Sequence, residues 1–336
     1  MKHLFHYFFN LFKTLTFNRV KNILLLYSSF VYSIISKKAI HKGQAWSLSI
    51  ETGTSCNLSC LECPSGQDQF TRAKGNMSFV DFQTIIDKQK KYLIWLILYF
   101  QGEPYLNKDF FKMIAYARSQ RIFTSTSTNG HFLDKKNAER TIKSGLHKII
   151  ISLDGLNQET YEKYRIGGDY STVIQGIKNL VQARKTLKSN TPYIIVQFIV
   201  FKTNQHQVKE LKKLKNELGI DKVDIKTAQI YSATDDHHLI PDIKKYRRYK
   251  KNNKGEWEIK SPLPNYCLRM WQSAVITWDG DIAPCCFDKD VNYNMGNILN
   301  ASFEEIKNNT KYKTFRSQIF KDRSKIDICR NCSEGL

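Results

Sequence analysis

The eight cysteines of this 336-residue chain constrain it more than any other feature, because they fall in two separated groups. Three lie within Cys56–Cys63, and the other five lie between Cys267 and Cys332. An exported disulfide protein is usually smaller and more evenly stapled, so a cytoplasmic metalloprotein with two ligand groups fits better. The first group reads Cys56-Asn-Leu-Ser-Cys60-Leu-Glu-Cys63. Three thiolates on one loop hold three irons of a four-iron cubane and leave the fourth open to another ligand. A structural zinc site wants four closed ligands, and a ferredoxin cluster takes four cysteines.

The apolar patterning supplies the frame. Segments 45–51, 93–100, 121–130, 148–155, 193–200 and 222–230 are predicted strands, with 121–130 and 148–155 each ending in a turn, the latter at Asp154-Gly155. They alternate with predicted helices near 79–90, 107–119, 134–144, 172–187 and 205–218. Several strands are apolar on both faces, the mark of a parallel sheet covered by crossover helices. The fold class is therefore α/β, a partial (β/α)6 TIM-like barrel, with a doubly wound sheet left open by the strand count. Polar punctuation falls just after strands, where such folds build their sites, and the cysteine loop follows the first strand.

Four segments emerge: an N-terminal helical extension over 1–40, a core over 41–235, a linker over 236–262 and a small cysteine-rich cluster-binding domain over 263–336. The adjacent His237 and His238 have no cysteine neighbour at ligand spacing and read as surface loop residues. In the last segment a hairpin is expected over 274–287, turning at Asp279-Gly280, and a helix over 303–315. About seventy residues have little core of their own, so a cluster tying distant cysteines together would organise them.

On the Cys56/Cys60/Cys63 spacing the chain resembles the radical S-adenosylmethionine (SAM) superfamily. The resemblance implies that these cysteines carry a [4Fe–4S] cluster whose open iron is chelated by SAM. Gln101-Gly102-Glu103-Pro104 resembles the family's Gly-Gly-Glu-Pro motif, which implies contact of Gly102, Glu103 and Pro104 with the SAM amino group. Gln101 departs from the usual first glycine, and Glu62 stands where many relatives carry an aromatic. Ser152 in the Ser-Leu-Asp-Gly run matches the serine that approaches the SAM ribose. Arg165 matches the arginine that meets the methionine carboxylate, a pairing that also makes bidentate sense by itself. Asn129 and Gln197 are further pocket candidates, as are Ser125 and Ser127. Gly280 to Cys285 resembles the start of the SPASM domain behind many such cores. The remaining cysteines suit its shortened "twitch" version, with a second [4Fe–4S] cluster on Cys267, Cys285, Cys329 and Cys332. Exchange of Cys285 with Cys286, and zinc in place of iron, both stay open here.

The formal charge of +21 favours anionic partners. No arginine-rich arm or RNA-binding appendage stands out. The Ile23–Ile35 stretch is shorter than the roughly 20 apolar residues a bilayer span needs, and no cleavage site follows it. Two readings of residues 1–36 remain: a helical pair packed on the main domain, or a helix on an anionic membrane surface, with Lys13, Arg19, Lys21, Lys37 and Lys38 meeting headgroups.

The resemblance implies reductive cleavage of SAM to a 5′-deoxyadenosyl radical that abstracts a substrate hydrogen, fed by a donor such as flavodoxin or ferredoxin. A four-thiolate second cluster has no open iron, so it suits electron acceptance and a net two-electron oxidation. The substrate is a small molecule or a peptide, the latter making the chain a maturase. A non-catalytic, RNA-interacting metal protein is the reading of another class.

Overall fold

The computed structural model describes residues 2–230 and 238–333, so His237 lies outside the described residues. The chain opens with α1 (Lys2–Phe12) and α2 (Phe17–Ser36), followed by β1 (Ser47–Ile50) and α3 (Phe79–Gln89). Then come β2 (Trp95–Ile97), α4 (Phe110–Ser119), β3 (Phe123–Thr128), α5 (Lys135–Ser144) and β4 (Lys148–Ser152). The alternation continues through α6 (Gln158–Glu162), α7 (Tyr170–Thr186), β5 (Tyr193–Val200), α8 (Leu211–Leu218) and β6 (Lys222–Thr227). A short hairpin follows, β7 (Tyr249–Lys251) and β8 (Trp257–Ile259), inside the stretch read as a linker. The C-terminal part holds α9 (Arg269–Gln272), β9 (Ser273–Ile276), β10 (Ile282–Ala283), α10 (Phe303–Asn308), α11 (Thr310–Asp322) and α12 (Asp327–Arg330).

These elements form two compact units, with the boundary inside β3. One comprises Met1–Phe9, Cys56–Gln69 and Ser125–Lys260. Its β4 pairs in parallel with β3 and β5, and β5 pairs in parallel with β6. Ile149, Ile151, Ile194, Val196 and Phe198 are fully buried, which is why these strands read as apolar runs. Side chains start the crossover helices: Asp134 accepts from the Asn137 N–H at 2.7 Å and Asp169 from the Thr172 N–H at 2.6 Å.

The other unit comprises Asn10–Ser55, Phe70–Thr124 and Ser261–Leu336. Here β1 pairs in parallel with β2 on one side and with β9 on the other. The expected hairpin is present, since β10 turns back antiparallel onto β9. It also extends the sheet at the β1 edge, with Ser47 opposite Ser273 and Ile50 opposite Ile276.

The helix expected over 303–315 is two helices. Asn309 divides them because its Oδ1 accepts from the Tyr312 N–H at 2.8 Å while its Nδ2 donates to the Met295 carbonyl at 2.7 Å. A side chain that caps one helix ends the preceding one. The N-terminal pair is helical as expected, but Arg19 is not a headgroup contact. It is buried, and it donates to the carbonyls of Thr14 and Arg121 at 2.6 Å, Lys90 at 2.8 Å and Gln120 at 3.2 Å.

Candidate functional site

The cysteine loop lies in the unit built on β3–β6. Leu58 and Cys60 are buried in a cluster with Tyr164, Phe201 and Tyr249, and Cys56 and Cys63 pack against its edge. The loop is pinned by its own backbone: Ser59 N–H donates to the Ile166 carbonyl and Cys63 N–H to the Cys60 carbonyl. Gln67 Nε2 donates to the carbonyls of Ser59 and Cys60 at 2.8 and 3.1 Å.

Two donors are aimed at sulfur. Arg165 Nη1 lies 3.6 Å from Cys60 Sγ, and Asn129 Nδ2 lies 3.8 Å from Cys56 Sγ while donating to Asn57 Oδ1 at 2.7 Å. Burial pushes the Cys60 thiol up, and the Arg165 charge opposes that shift. Arg165 is held by Asp154, whose Oδ2 takes Nε at 2.7 Å and Nη2 at 2.5 Å. Burial would lower the guanidinium, but Asp154 and then Cys60 raise it well above its ordinary value, so it stays charged. Asp154 is itself buried, and its Oδ1 accepts the Ile199 N–H at 2.7 Å. Ser152 is buried at the end of β4, in register with Gln197 of β5. Ser125 and Ser127 lie opposite Lys148 and Ile150 of β4, and Ser127 is less buried than Ser125.

Sequence reading treated Asp154-Gly155 as a turn and so missed the carboxylate that orients Arg165. The signal available was an acidic residue at a strand end, eleven positions before an arginine. Gly155 is required by close packing, since a Cβ there would stand 2.3 Å from the Tyr161 nitrogen.

Gly102, Glu103 and Pro104 belong to the other unit. Gly102 has φ +70°, and a Cβ on it would come within 2.3 Å of the Gly53 carbonyl oxygen and 2.8 Å of that of Ser55. Only glycine fits such an approach. Glu103 N–H donates to the Ser55 carbonyl at 2.8 Å, so this turn fastens the segment that leads from β1 to Cys56. Glu103 is buried and its carboxylate accepts the Tyr105 N–H at 3.2 Å, with Pro104 opening a single 3-10 turn.

In the same unit Arg323 gathers the last cysteines. Its Nη2 lies 3.3 Å from Cys332 Sγ, and it hydrogen-bonds Cys329. Burial pushes the Cys329 thiol up to about 11 against the pull of Arg323, and Cys267 adds to the rise. The Cys285 thiol is raised well above its ordinary value, first by the hydrogen bond with Cys286, then by burial, with Cys267 close enough to contribute. Cys286, like Val291, packs against a cluster of Phe100, Val275 and Ala283. Beside these thiols is a cavity of about 340 Å³, lined by Ser47, Ser49, Tyr99, Arg269, Lys289 and both Cys285 and Cys286.

Among the described residues no three or more His, Cys, Asp or Glu side chains stand in a preformed metal-holding group. Among the described residues no cysteine is in a disulfide. The donor set fits iron and sulfur: three soft ligands on a pinned loop, with N–H groups directed at two of the sulfurs.

Residues 50–214 match the radical SAM superfamily, and residues 267–333 match SPASM, an iron-sulfur cluster-binding domain. The chain belongs to the radical SAM superfamily. It is similar to the tungsten-containing aldehyde ferredoxin oxidoreductase cofactor-modifying protein of Pyrococcus furiosus, 26% identical over 306 residues that cover 80% of this chain and 82% of that protein. Among solved structures it is similar to Streptococcus suis SuiB bound to precursor peptide SuiA, with TM-score 0.63 at 17% identity over 91% of this chain and 75% of that one. BtrN in complex with AdoMet and 2-DOIA gives TM-score 0.53 at 19% identity over 87% and 97%. These likenesses show the fold class, a partial (β/α)6 barrel type with a C-terminal cysteine-rich domain. This radical SAM enzyme therefore cleaves SAM and abstracts hydrogen.

Proposed function

We propose that this radical SAM enzyme carries out a net two-electron oxidation of a small molecule or peptide side chain bearing an acidic group. The observation that carries the reading is the cavity of about 340 Å³ with Cys285 and Cys286 in its wall. Its volume is within the range for a small ligand or an inserted side chain, and Arg269 and Lys289 supply positive charge. When bound, the cluster on Cys56, Cys60 and Cys63 supplies the electron that splits SAM into methionine and the hydrogen-abstracting 5′-deoxyadenosyl radical. Arg165, held by Asp154, retains further N–H donors for the methionine carboxylate beyond its Cys60 contact. Gly102, Glu103 and Pro104 present backbone to the SAM amino group, Ser152 meets the ribose, and Asn129 holds the Cys56 end of the loop. Cys267, Cys285, Cys329 and Cys332 ligate a second iron-sulfur cluster. The balance is one hydrogen atom to the deoxyadenosyl carbon, one electron to the C-terminal site and one proton to solvent. Flavodoxin or ferredoxin is the external donor. The two solved relatives, one bound to a precursor peptide and one to 2-DOIA, support both substrate classes.

Iron, acid-labile sulfide and zinc per chain, counted after anaerobic reconstitution, test the two-cluster assignment. About eight irons and eight sulfides support it; about four irons with one zinc would remove the electron acceptor and the oxidation with it. The double variant Cys329→Ser/Cys332→Ser should keep 5′-deoxyadenosine formation, lose about four irons and yield no oxidised product.

A further inference from the structure

The N-terminal helices are inside out. On α2 the buried positions are Arg19, Asn22, Leu26, Ser29, Phe30 and Ser33, four of them polar. Arg19 caps the carbonyls named above, and the Asn22 side chain bonds the Gln44 backbone twice, Nδ2 to the Gln44 carbonyl at 2.9 Å and Gln44 N–H to Oδ1 at 2.7 Å. Ser33 Oγ donates to the Ile40 carbonyl at 2.8 Å and accepts the Ile40 N–H at 3.0 Å. The rotation of α2 is therefore fixed by polar bonds. What it leaves outside is Phe17, Val20, Leu24, Leu25, Val31, Tyr32 and Ile35, with Phe17 83% and Ile35 75% exposed. Helix α1, taken by itself, exposes Leu4, Phe5, Phe8, Phe9 and Phe12, while Tyr7 packs on Tyr193 at 5.3 Å between ring centroids.

Thirteen of the twenty large apolar side chains exposed among the described residues fall within positions 4–35. That concentration marks an interaction surface and not ordinary surface scatter. The charge beside it is of one sign. No Asp or Glu occurs before Glu51, whereas Lys13, Lys21, Lys37 and Lys38 are all exposed. A cavity of about 430 Å³ opens at the edge of the α2 face, lined by Asn18, Lys21, Leu25, Lys42, Lys91 and Tyr92 among others. Leu25 belongs to both and Lys21 stands one turn before it on the same helix, so the apolar face runs directly into a basic recess. Lys307 also lines the recess, but Glu304 neutralises it at 2.7 Å. No helix of the described residues is long and apolar enough to cross a membrane.

We propose that α2 seats this enzyme on an anionic lipid bilayer surface, the apolar side chains entering the acyl boundary and the Lys21/Lys42/Lys91 recess receiving an acidic headgroup. An apolar face alone would suit a second protein copy equally. The single-sign lysine border and the basic recess favour acidic lipid, because a second copy would bring the same positive charge to the contact.

The test is co-sedimentation of the full chain with vesicles of phosphatidylglycerol and phosphatidylcholine, and with vesicles of phosphatidylcholine alone. Binding should favour the anionic vesicles by about tenfold or more and weaken with added salt. Leu24→Asp/Ile35→Asp and, separately, Lys21→Glu/Lys42→Glu/Lys91→Glu should each lower binding by about tenfold or more. The thermal midpoint and 5′-deoxyadenosine formation of each variant should match the parent, which shows that folding is not the cause. Equal binding to both vesicle types overturns the proposal, as does absent binding, or binding that survives either variant. A soluble dimer that Leu24→Asp/Ile35→Asp splits would assign the face to a second copy and overturn it too.

Discussion

Asp154 grips Arg165 through one carboxylate oxygen, at 2.5 Å from Nη2 and 2.7 Å from Nε, and thereby leaves Nη1 facing Cys60 Sγ at 3.6 Å. The pair is almost dry, since the Asp154 side chain is fully buried and that of Arg165 is 14% exposed. A buried guanidinium with its partner removed is strongly unfavourable. Asp154→Asn should therefore destabilise the fold by about 3 kcal/mol and free Arg165 to leave the cysteine loop. SAM cleavage should fall by about tenfold or more, as for partners that orient a metal's ligands. The electron paramagnetic resonance spectrum of the reduced protein should change on SAM addition in the parent and much less in the variant. An unchanged spectral response with lost activity would place the role of Asp154 in folding alone.

Gly102→Ala forces a Cβ against the Gly53 and Ser55 carbonyls, both backbone and neither able to swing away. The strain at φ +70° adds about 1 kcal/mol or more. Relief requires moving the segment that leads into Cys56, so SAM affinity should drop more than overall stability. Equilibrium SAM binding measured beside the thermal midpoint separates the two, and equal loss in both would count against a positioning role for this turn.

The parts legible in the sequence were those with a local signature. Ile194 and Val196 on one face of β5 and Tyr193 and Ile195 on the other are all buried, so the strand announces itself as an apolar run, and Asp279-Gly280 announces a turn. The Cys56/Cys60/Cys63 loop is legible because its spacing is itself the chemistry. Asp154 was not, since a carboxylate at a strand end reads as punctuation until its partner is placed. Pairing of β9 with β1 joins Ile50 to Ile276 across most of the chain, and no short-range pattern encodes it. The rotation of α2 was equally hidden: hydropathy would bury Leu24 and Ile35, but hydrogen bonds of Arg19, Asn22 and Ser33 bury the opposite face.

Arg19 stands where the carbonyls of Lys90, Gln120 and Arg121 need donors at the C-terminal ends of α3 and α4. Burial lowers its pKa to about 10, which still leaves it charged at neutral pH. Arg19→Met keeps much of the volume but strips those oxygens, at about 1–3 kcal/mol for each group left bare. The variant should lose several degrees in thermal midpoint while its iron content stays unchanged. Loss of iron in proportion to stability would instead tie these capped helix ends to the cysteine sites.

His41 makes stability depend on pH. Its Nε2 hydrogen-bonds the Trp271 carbonyl at 3.1 Å, and its ring lies 5.7 Å from that of Trp271. Among the described residues Nδ1 has no hydrogen-bond partner. Burial lowers its pKa to about 3, and the nearby charges of Arg316 and Lys307 push the same way. The unfolded chain takes up a proton near pH 6.5, whereas the folded one resists until about pH 3. Folding stability is therefore full above about pH 6.5 and declines as the pH falls towards the folded value. The loss from this one ring reaches up to about 2 kcal/mol at about pH 5. His41→Gln keeps a donor for Trp271 and removes the titration, so its urea midpoint should change less between about pH 7 and pH 5. Parallel slopes in parent and variant would place the acid sensitivity of this unit in groups other than His41.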